Sequence, residues 1–309
     1  MHNKLILSSG LGASVLIGLT SSSFFIFWSA VELNTILFIV MLWLEGEKGS
    51  ELSGMKYFLI QGFSSLLMVW GVFYYMSFLM MVGGLLKLGV FPFHLWSLDL
   101  AVSSSWDCWL YLMSLQKVLP LHLVVNVSEG SSVLSSVTLL NLVVSCLGSL
   151  HKSMLKELLF YSSLFNMSLL LLLSSSHSIL VFFFLIYSSL LIPCWGILKN
   201  SEVDYLQQVH LSSGGLLAFL SLSGFPPSLG FLYKYGLFSL LVSLNYGVLY
   251  CCSVMLLSLF MFYIYLSVFL QLKLIGSRTF MPSMGSKGGY LLAPQVLLMI
   301  SGSLILYSF

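Results

Sequence analysis

Residues 83–92 read Gly83-Gly84-Leu85-Leu86-Lys87-Leu88-Gly89-Val90-Phe91-Pro92, a lysine inside an apolar run that is closed by a glycine and a proline. Proline lacks an N–H and glycine tolerates turns, so this spacing predicts a helix that breaks just after the charge. A charge at the middle of a membrane helix costs about 2.5 to 3.5 kcal/mol on insertion scales. Lys87 lies near the middle of its apolar run, too far from an end to snorkel easily, which points to a working interior rather than an anchor. A second stretch repeats the pattern. Gly224-Phe225-Pro226-Pro227-Ser228-Leu229-Gly230 precedes Lys234, the only charge between Asp204 and Lys273.

Two more ionisable side chains lie deep in apolar runs. Glu32 sits in Phe27-Trp28-Ser29-Ala30-Val31-Glu32-Leu33-Asn34, with no other charge within ten positions, and Lys117 sits in Ser114-Leu115-Gln116-Lys117-Val118-Leu119-Pro120. Pro120 predicts a local opening of the helix close to Lys117. Burial favours the neutral form of an acid or an amine, and an opposite charge nearby favours the ionised form. A buried carboxyl and a buried lysine in reach of each other would therefore titrate as a coupled pair. Lys87 is the natural partner for Glu32. One reading of Glu32, Lys87, Lys117 and Lys234 is a proton path. The other is a static ion pair that sets helix register. His94, two residues after Pro92, is a possible relay because imidazole titrates near neutrality, and a structural histidine is the plain alternative. Lys156 opens its span beside Glu157 and reads first as an interfacial anchor, with a secondary proton relay as the alternative.

The surroundings of these charges bound the class. Of 309 residues 59% are hydrophobic and 7% charged, with a mean hydropathy of +1.03, more apolar than a soluble core can use. Apolar runs of about 20 residues fit helices rather than the alternating strands of a barrel. We expect an all-α, polytopic membrane bundle of about eleven spans: residues 4–20, 24–44, 56–76, 78–97, 107–127, 132–150, 154–174, 178–198, 211–242, 246–271 and 289–309. The ninth, which holds Gly224, Pro226 and Pro227, reads as a broken helix. No basic, acid-poor presequence precedes the first run, so the first helix is expected to be retained.

Charge placement tests the span count. With the N-terminus on one side, Lys4, Lys48, Lys56, Lys152, Lys156, Lys199, Lys273, Arg278 and Lys287 all fall on that side. The opposite loops, near 21–23, 77, 128–131, 175–177 and 243–245, hold no Lys or Arg; the remaining bases are the three lysines inside spans. The positive-inside rule then puts the N-terminus on the matrix or cytoplasmic side and the C-terminus on the other. Five spans per block make residues 1–130 and 131–272 candidate inverted repeats, leaving 273–309 as a loop and a last helix.

Several functions are disfavoured. Cys108, Cys146, Cys194, Cys251 and Cys252 lack metal or cluster spacing and read as small apolar side chains. Gly83-Gly84, Gly214-Gly215 and Gly288-Gly289 do not open a dinucleotide site, and there is no P-loop. We expect no metal, flavin or nucleotide cofactor in this chain. A net charge of +2 gives no reason to invoke nucleic acid.

Trp28 to Asn34, Lys56-Tyr57-Phe58-Leu59-Ile60-Gln61, Lys87 to Trp96, Gln116-Lys117-Val118-Leu119-Pro120, Tyr161-Ser162-Ser163 and Gly224-Phe225-Pro226-Pro227 with Phe231 and Lys234 occur in an order that resembles the NADH-ubiquinone oxidoreductase chain 2 family of mitochondrial respiratory complex I. The resemblance covers about residues 28–236. It implies an antiporter-like proton-translocating subunit of the membrane arm, multi-pass in the mitochondrial inner membrane, in the shortened animal form with eleven helices and the N-terminus on the matrix side. It also implies that Glu32 pairs with Lys87, that Lys117 connects onward, and that Lys234 belongs to the second broken helix. Flavin, iron-sulfur and quinone chemistry would lie in other subunits of NADH:ubiquinone reductase. The implied partners are those subunits, above all the antiporter-like and small membrane ones, with membrane lipids. Asn166 stands where the family commonly has histidine, and Lys156-Glu157 stands where Arg-Lys is more usual. The rival class is a stand-alone cation/proton secondary transporter, which uses similar broken helices and buried charges.

Overall fold

The computed structural model describes residues 2–45, 49–128, 132–150, 152–173, 177–201, 213–226 and 228–278. Among these the chain forms helices only: α1 (His2–Thr20), α2 (Phe24–Glu45), α3 (Ser50–Phe73), α4 (Ser77–Leu88), α5 (Leu95–Ser103), α6 (Trp106–Met113), α7 (Leu115–Val127), α8 (Ser132–Ser149), α9 (Leu155–Leu171), α10 (His177–Ser201), α11 (Ser213–Ser223), α12 (Leu229–Ser243) and α13 (Val248–Arg278). Among the described residues five stretches are long and apolar enough to cross a membrane: Phe24–Glu45, Glu51–Phe73, Trp106–Val127, Ile179–Lys199 and Val248–Leu272. Helices satisfy their own backbone groups, which the bilayer interior requires.

The described residues fall into two compact units. The first contains α1 to α7 and the start of α8; the second contains the rest of α8, α9, α10 from Ser178 onward, and α11 to α13.

In the first unit α3 shows why this is a membrane fold. Leu52, Met55, Leu59, Phe63, Leu66, Trp70 and Phe73 form an exposed stripe at helical spacing, while Ser53, Tyr57, Gln61, Ser64 and Ser65 are buried. Apolar side chains face out and polar ones face in, the reverse of a soluble amphipathic helix. Next to it, α4 lies close to both α3 and α7. A Cβ on Gly83 would stand 2.7 Å from Met68 Cγ and 2.9 Å from the Ser64 carbonyl oxygen, and one on Gly84 would stand 2.5 Å from Val124 Cγ2. Small residues permit this approach, as is usual in membrane bundles.

In the second unit α9 is the central rod. Its side chains from Leu155 to Leu171 are buried with one half-buried exception, and its buried serines are satisfied locally: Ser162, Ser163 and Ser168 donate at 2.7 Å to the Leu159, Phe160 and Phe165 carbonyls.

Several boundaries differ from the sequence reading. The fourth span, bounded as 78–97 with a break expected after Lys87, ends at Leu88 and resumes as the separate helix α5. The fifth is interrupted at Ser114, with φ −113° and ψ −84°, rather than at Pro120, which lies inside α7. Pro120 has no N–H for the Gln116 carbonyl, and α7 absorbs this single lost bond. The tenth continues as helix to Arg278, beyond the expected 271. Cys252 is exposed, while the other four cysteines are buried. Pro227 and the expected eleventh span lie outside the described residues.

Candidate functional site

The site in the first unit is built on the broken end of α4. Gly89 adopts φ +63°, its N–H reaches the Leu86 carbonyl at 3.1 Å, and the Val90 N–H reaches back to Leu85 at 3.3 Å. This left-handed cap closes the helix one turn before the proline. The Phe91 N–H, freed by the break, donates to Asn141 Oδ1 of α8 at 3.1 Å. Lys87 therefore lies in the last turn of α4, where the helix dipole favours a cation.

The Lys87 side chain is 1% exposed. Its Nζ lies 3.5 Å from Glu32 Oε1 and donates to the Gln61 backbone carbonyl at 3.3 Å. Gln61 Nε2 returns a long bond of 3.5 Å to the Lys87 carbonyl. The Glu32 contact is an ion pair without hydrogen-bond geometry: Oε1 is buried and has no hydrogen-bond partner in the structure. The two groups are close enough for each to bias the charge of the other and loose enough for a small rotation to separate them.

Lys117 is buried in the first turn of α7, just past the Ser114 interruption. Its neighbour Gln116 is held by Asn34 of α2 and Tyr57 of α3. His94, between α4 and α5, is half buried; its Nδ1 is enclosed without a hydrogen-bond partner and its ring lies 6.1 Å from that of Phe91.

In the second unit Lys234 lies on α12 and reaches back across the break to α11. Gly224 has φ +85°, its N–H meets the Ser221 carbonyl at 3.3 Å, and the Phe225 N–H meets Leu220 at 3.2 Å, the same cap as at Gly89. Lys234 Nζ donates to the Ser223 carbonyl at 2.6 Å and stands 5.7 Å over the Phe165 ring. The carbonyl contact fixes the position of the amine at the C-terminal end of α11. Lys156 is buried in the first turn of α9, and its neighbour Glu157 is paired at 3.0 Å with Lys152.

The structure thus brings Glu32 and Lys87 together and puts Lys234 against the freed end of α11. Asn34, Tyr57 and Gln116, a buried hydrogen-bonded set, carry no signal of rarity in sequence and were not singled out. Glu45 was missed as well. At the end of α2 its side chain is 4% exposed and paired at 3.1 Å with Lys4, although its position beside loop acids makes it look like a surface residue. Among the described residues no three His, Cys, Asp or Glu side chains converge as metal ligands would.

No protein-family model matches the chain. The sequence is 30% identical over 278 residues to NADH-ubiquinone oxidoreductase chain 2 of Anopheles gambiae, covering 81% of this chain and 80% of that one. The chain belongs to the NADH-ubiquinone oxidoreductase chain 2 family. Chain 2 of Locusta migratoria is also similar, 27% identical over 256 residues, covering 75% of this chain and 74% of the relative. The chain 2 fold is shared with more distant structures. A chain of respiratory complex I from Thermus thermophilus with bound aureothin superimposes with a TM-score of 0.82 at 20% identity, over 98% of this chain and 78% of that one. A chain of the membrane-bound sulfane sulfur reductase, an archaeal respiratory membrane complex, gives 0.79 at 15% identity, over 96% and 72%. Both broken helices of this chain thus belong to a fold found in respiratory membrane complexes.

Proposed function

We propose that this chain is the antiporter-like, proton-translocating subunit 2 of respiratory complex I in the mitochondrial inner membrane. It works with the other membrane-arm subunits, while NADH oxidation and ubiquinone reduction take place elsewhere in the complex. The observation that carries the reading is the Glu32–Lys87 pair: a carboxyl and an amine 3.5 Å apart, the amine sealed from solvent, at the broken end of a membrane helix.

Movement of neighbouring subunits would alter this pairing. With Glu32 close, Lys87 holds its proton; with Glu32 drawn away, desolvation favours the neutral amine and the proton leaves toward Lys117. Lys234 exchanges its own proton at the second broken helix, where the Ser223 carbonyl holds the ammonium. His94 and Lys156 are secondary relay candidates. The chain needs no redox cofactor for this. We further read eleven spans, with residues 1–130 and 131–272 as inverted repeats and 273–309 as a loop and last helix. The N-terminus would face the matrix and the C-terminus the intermembrane space. A helix break near a lysine in each block, at Gly89 with Lys87 and at Gly224 with Lys234, supports the repeat.

The test is Lys87→Met in the assembled complex. Proton pumping into sealed vesicles is expected to fall severalfold while assembly is preserved, and wild-type pumping would overturn the reading. Reconstituted alone, the chain is expected to move no protons; cation-driven proton uptake by the isolated chain would favour a stand-alone transporter.

A further inference from the structure

Beside the Glu32–Lys87 pair lies a polar cluster that the proton scheme does not use. Asn34 Nδ2 donates to Gln116 Oε1 at 3.1 Å, and Gln116 Nε2 donates back to Asn34 Oδ1 at 3.4 Å, closing a two-bond amide ring between α2 and α7. The Tyr57 hydroxyl of α3 donates to the same Gln116 oxygen at 3.2 Å, and Ser14 Oγ of α1 lies 3.3 Å from Asn34 Oδ1. All four side chains are buried, so one point joins four helices.

Its place in the chain gives the ring a specific consequence. Asn34 is two residues from Glu32, and Gln116 precedes Lys117, two residues after the interruption at Ser114. Positions two apart on a helix point to different sides, so α2 can offer Glu32 to Lys87 while Asn34 grips α7. The interruption leaves the start of α7 without a continuous helical ladder to α6, and the ring fixes it from the side. A carboxamide neither gains nor loses a proton at accessible pH, so the ring holds position without offering a conducting bypass.

We propose that the Asn34–Gln116 amide ring is a positioning device for proton transfer, locking the rotation of the Lys117 turn relative to Glu32 and Lys87 so that side-chain motion alone makes and breaks the transfer. The proposal rests on the proton-transfer reading of Glu32 and Lys87. Asn34 and Gln116 are positioning residues, acting through the ionisable groups next to them.

The test uses assembled complex in sealed vesicles, with pumping measured per assembled complex across pH. Replacing both partners of a buried hydrogen bond by apolar groups can be nearly neutral for stability, so the double variant Asn34→Leu, Gln116→Leu is expected to assemble. Its pumping is expected to fall at least threefold, and the exchanged pair Asn34→Gln, Gln116→Asn, which can rebuild a ring, is expected to recover most of it. Full pumping by the leucine pair would overturn the proposal. If the leucine pair does not assemble, Gln116→Glu decides: it keeps an oxygen for Asn34 and Tyr57 and sets a titratable carboxyl beside Lys117. Pumping by this variant is expected to gain a pH-dependent limb absent from the wild type, and an unchanged profile would overturn the proposal. Lys87→Met in the same preparation separates the two claims. Normal pumping there removes the proton site and the ring with it, whereas loss there beside a normal leucine pair removes only the ring.

Discussion

Lys87 and Lys234 are each held at a helix break, by different contacts. Lys87 lies before its break and is held by the Glu32 carboxyl and the Gln61 carbonyl, while Lys234 lies after its break and is held by the Ser223 carbonyl across the gap. Replacement should therefore differ between the two sites. Lys234→Met leaves the α11 carbonyl without its amine but strands no opposite charge, so the thermal stability of the complex is expected to stay near wild type while pumping falls, as measured by proton uptake into vesicles at equal complex content. Lys87→Met strands Glu32, and removing one partner of a buried ion pair typically costs about 3 to 5 kcal/mol. Glu32 is 28% exposed on its side chain, so screening makes the loss smaller. Thermal unfolding of the complex is expected to show a larger drop for Lys87→Met than for the double variant Glu32→Gln, Lys87→Met. The four charges were legible in sequence because ionisable groups are rare in apolar runs. Asn34 and Gln116 were not, because neutral polar residues are common in membrane helices and only their pairing gives them meaning.

At the level of the helix, the caps at Gly89 and Gly224 decide where the lysines stand. The same cap also closes α3 at Tyr75 and α12 at Asn245, which adopt φ +54° and +56° without being glycine. A left-handed backbone alone, at about 1 to 2 kcal/mol for an ordinary residue, is thus tolerable in this fold. Contacts make the inner caps stricter. A Cβ on Gly89 would stand 2.5 Å from Ser97 Oγ and 2.8 Å from its Cβ, whereas one on Gly224 would meet the Lys234 chain at 3.0 to 3.3 Å. Gly89→Ala is accordingly expected to reduce the amount of assembled complex on native gels. Gly224→Ala is expected to assemble more fully and to lower pumping by displacing Lys234. Glycine and proline made both breaks readable in advance. The interruption at Ser114 carried no such residue, and Pro120, which did, proved compatible with α7.

Across the molecule the distribution of polarity is that of a chain whose solvent is lipid. The outward stripe of α3 is apolar from Leu52 to Phe73 and its inward side carries Tyr57, Gln61, Ser64 and Ser65. Phe63→Lys on the outward stripe should carry the insertion penalty of about 2.5 to 3.5 kcal/mol for a central charge and reduce membrane-integrated protein. Ser65→Ala, on the inward side, should leave integration unchanged; carbonate extraction measures both. Composition and run length by themselves determined that the chain is a helical membrane protein, because a bilayer accepts only backbones that satisfy their own hydrogen bonds. Rarity of charge likewise named Glu32, Lys87, Lys117 and Lys234. Only the tertiary structure decided that Glu32 meets Lys87, that Asn34 closes a ring with Gln116 82 residues away, and that Lys234 reaches the Ser223 carbonyl. Those contacts depend on how each helix is rotated and how closely small residues let its neighbours approach, and residue order alone leaves both open.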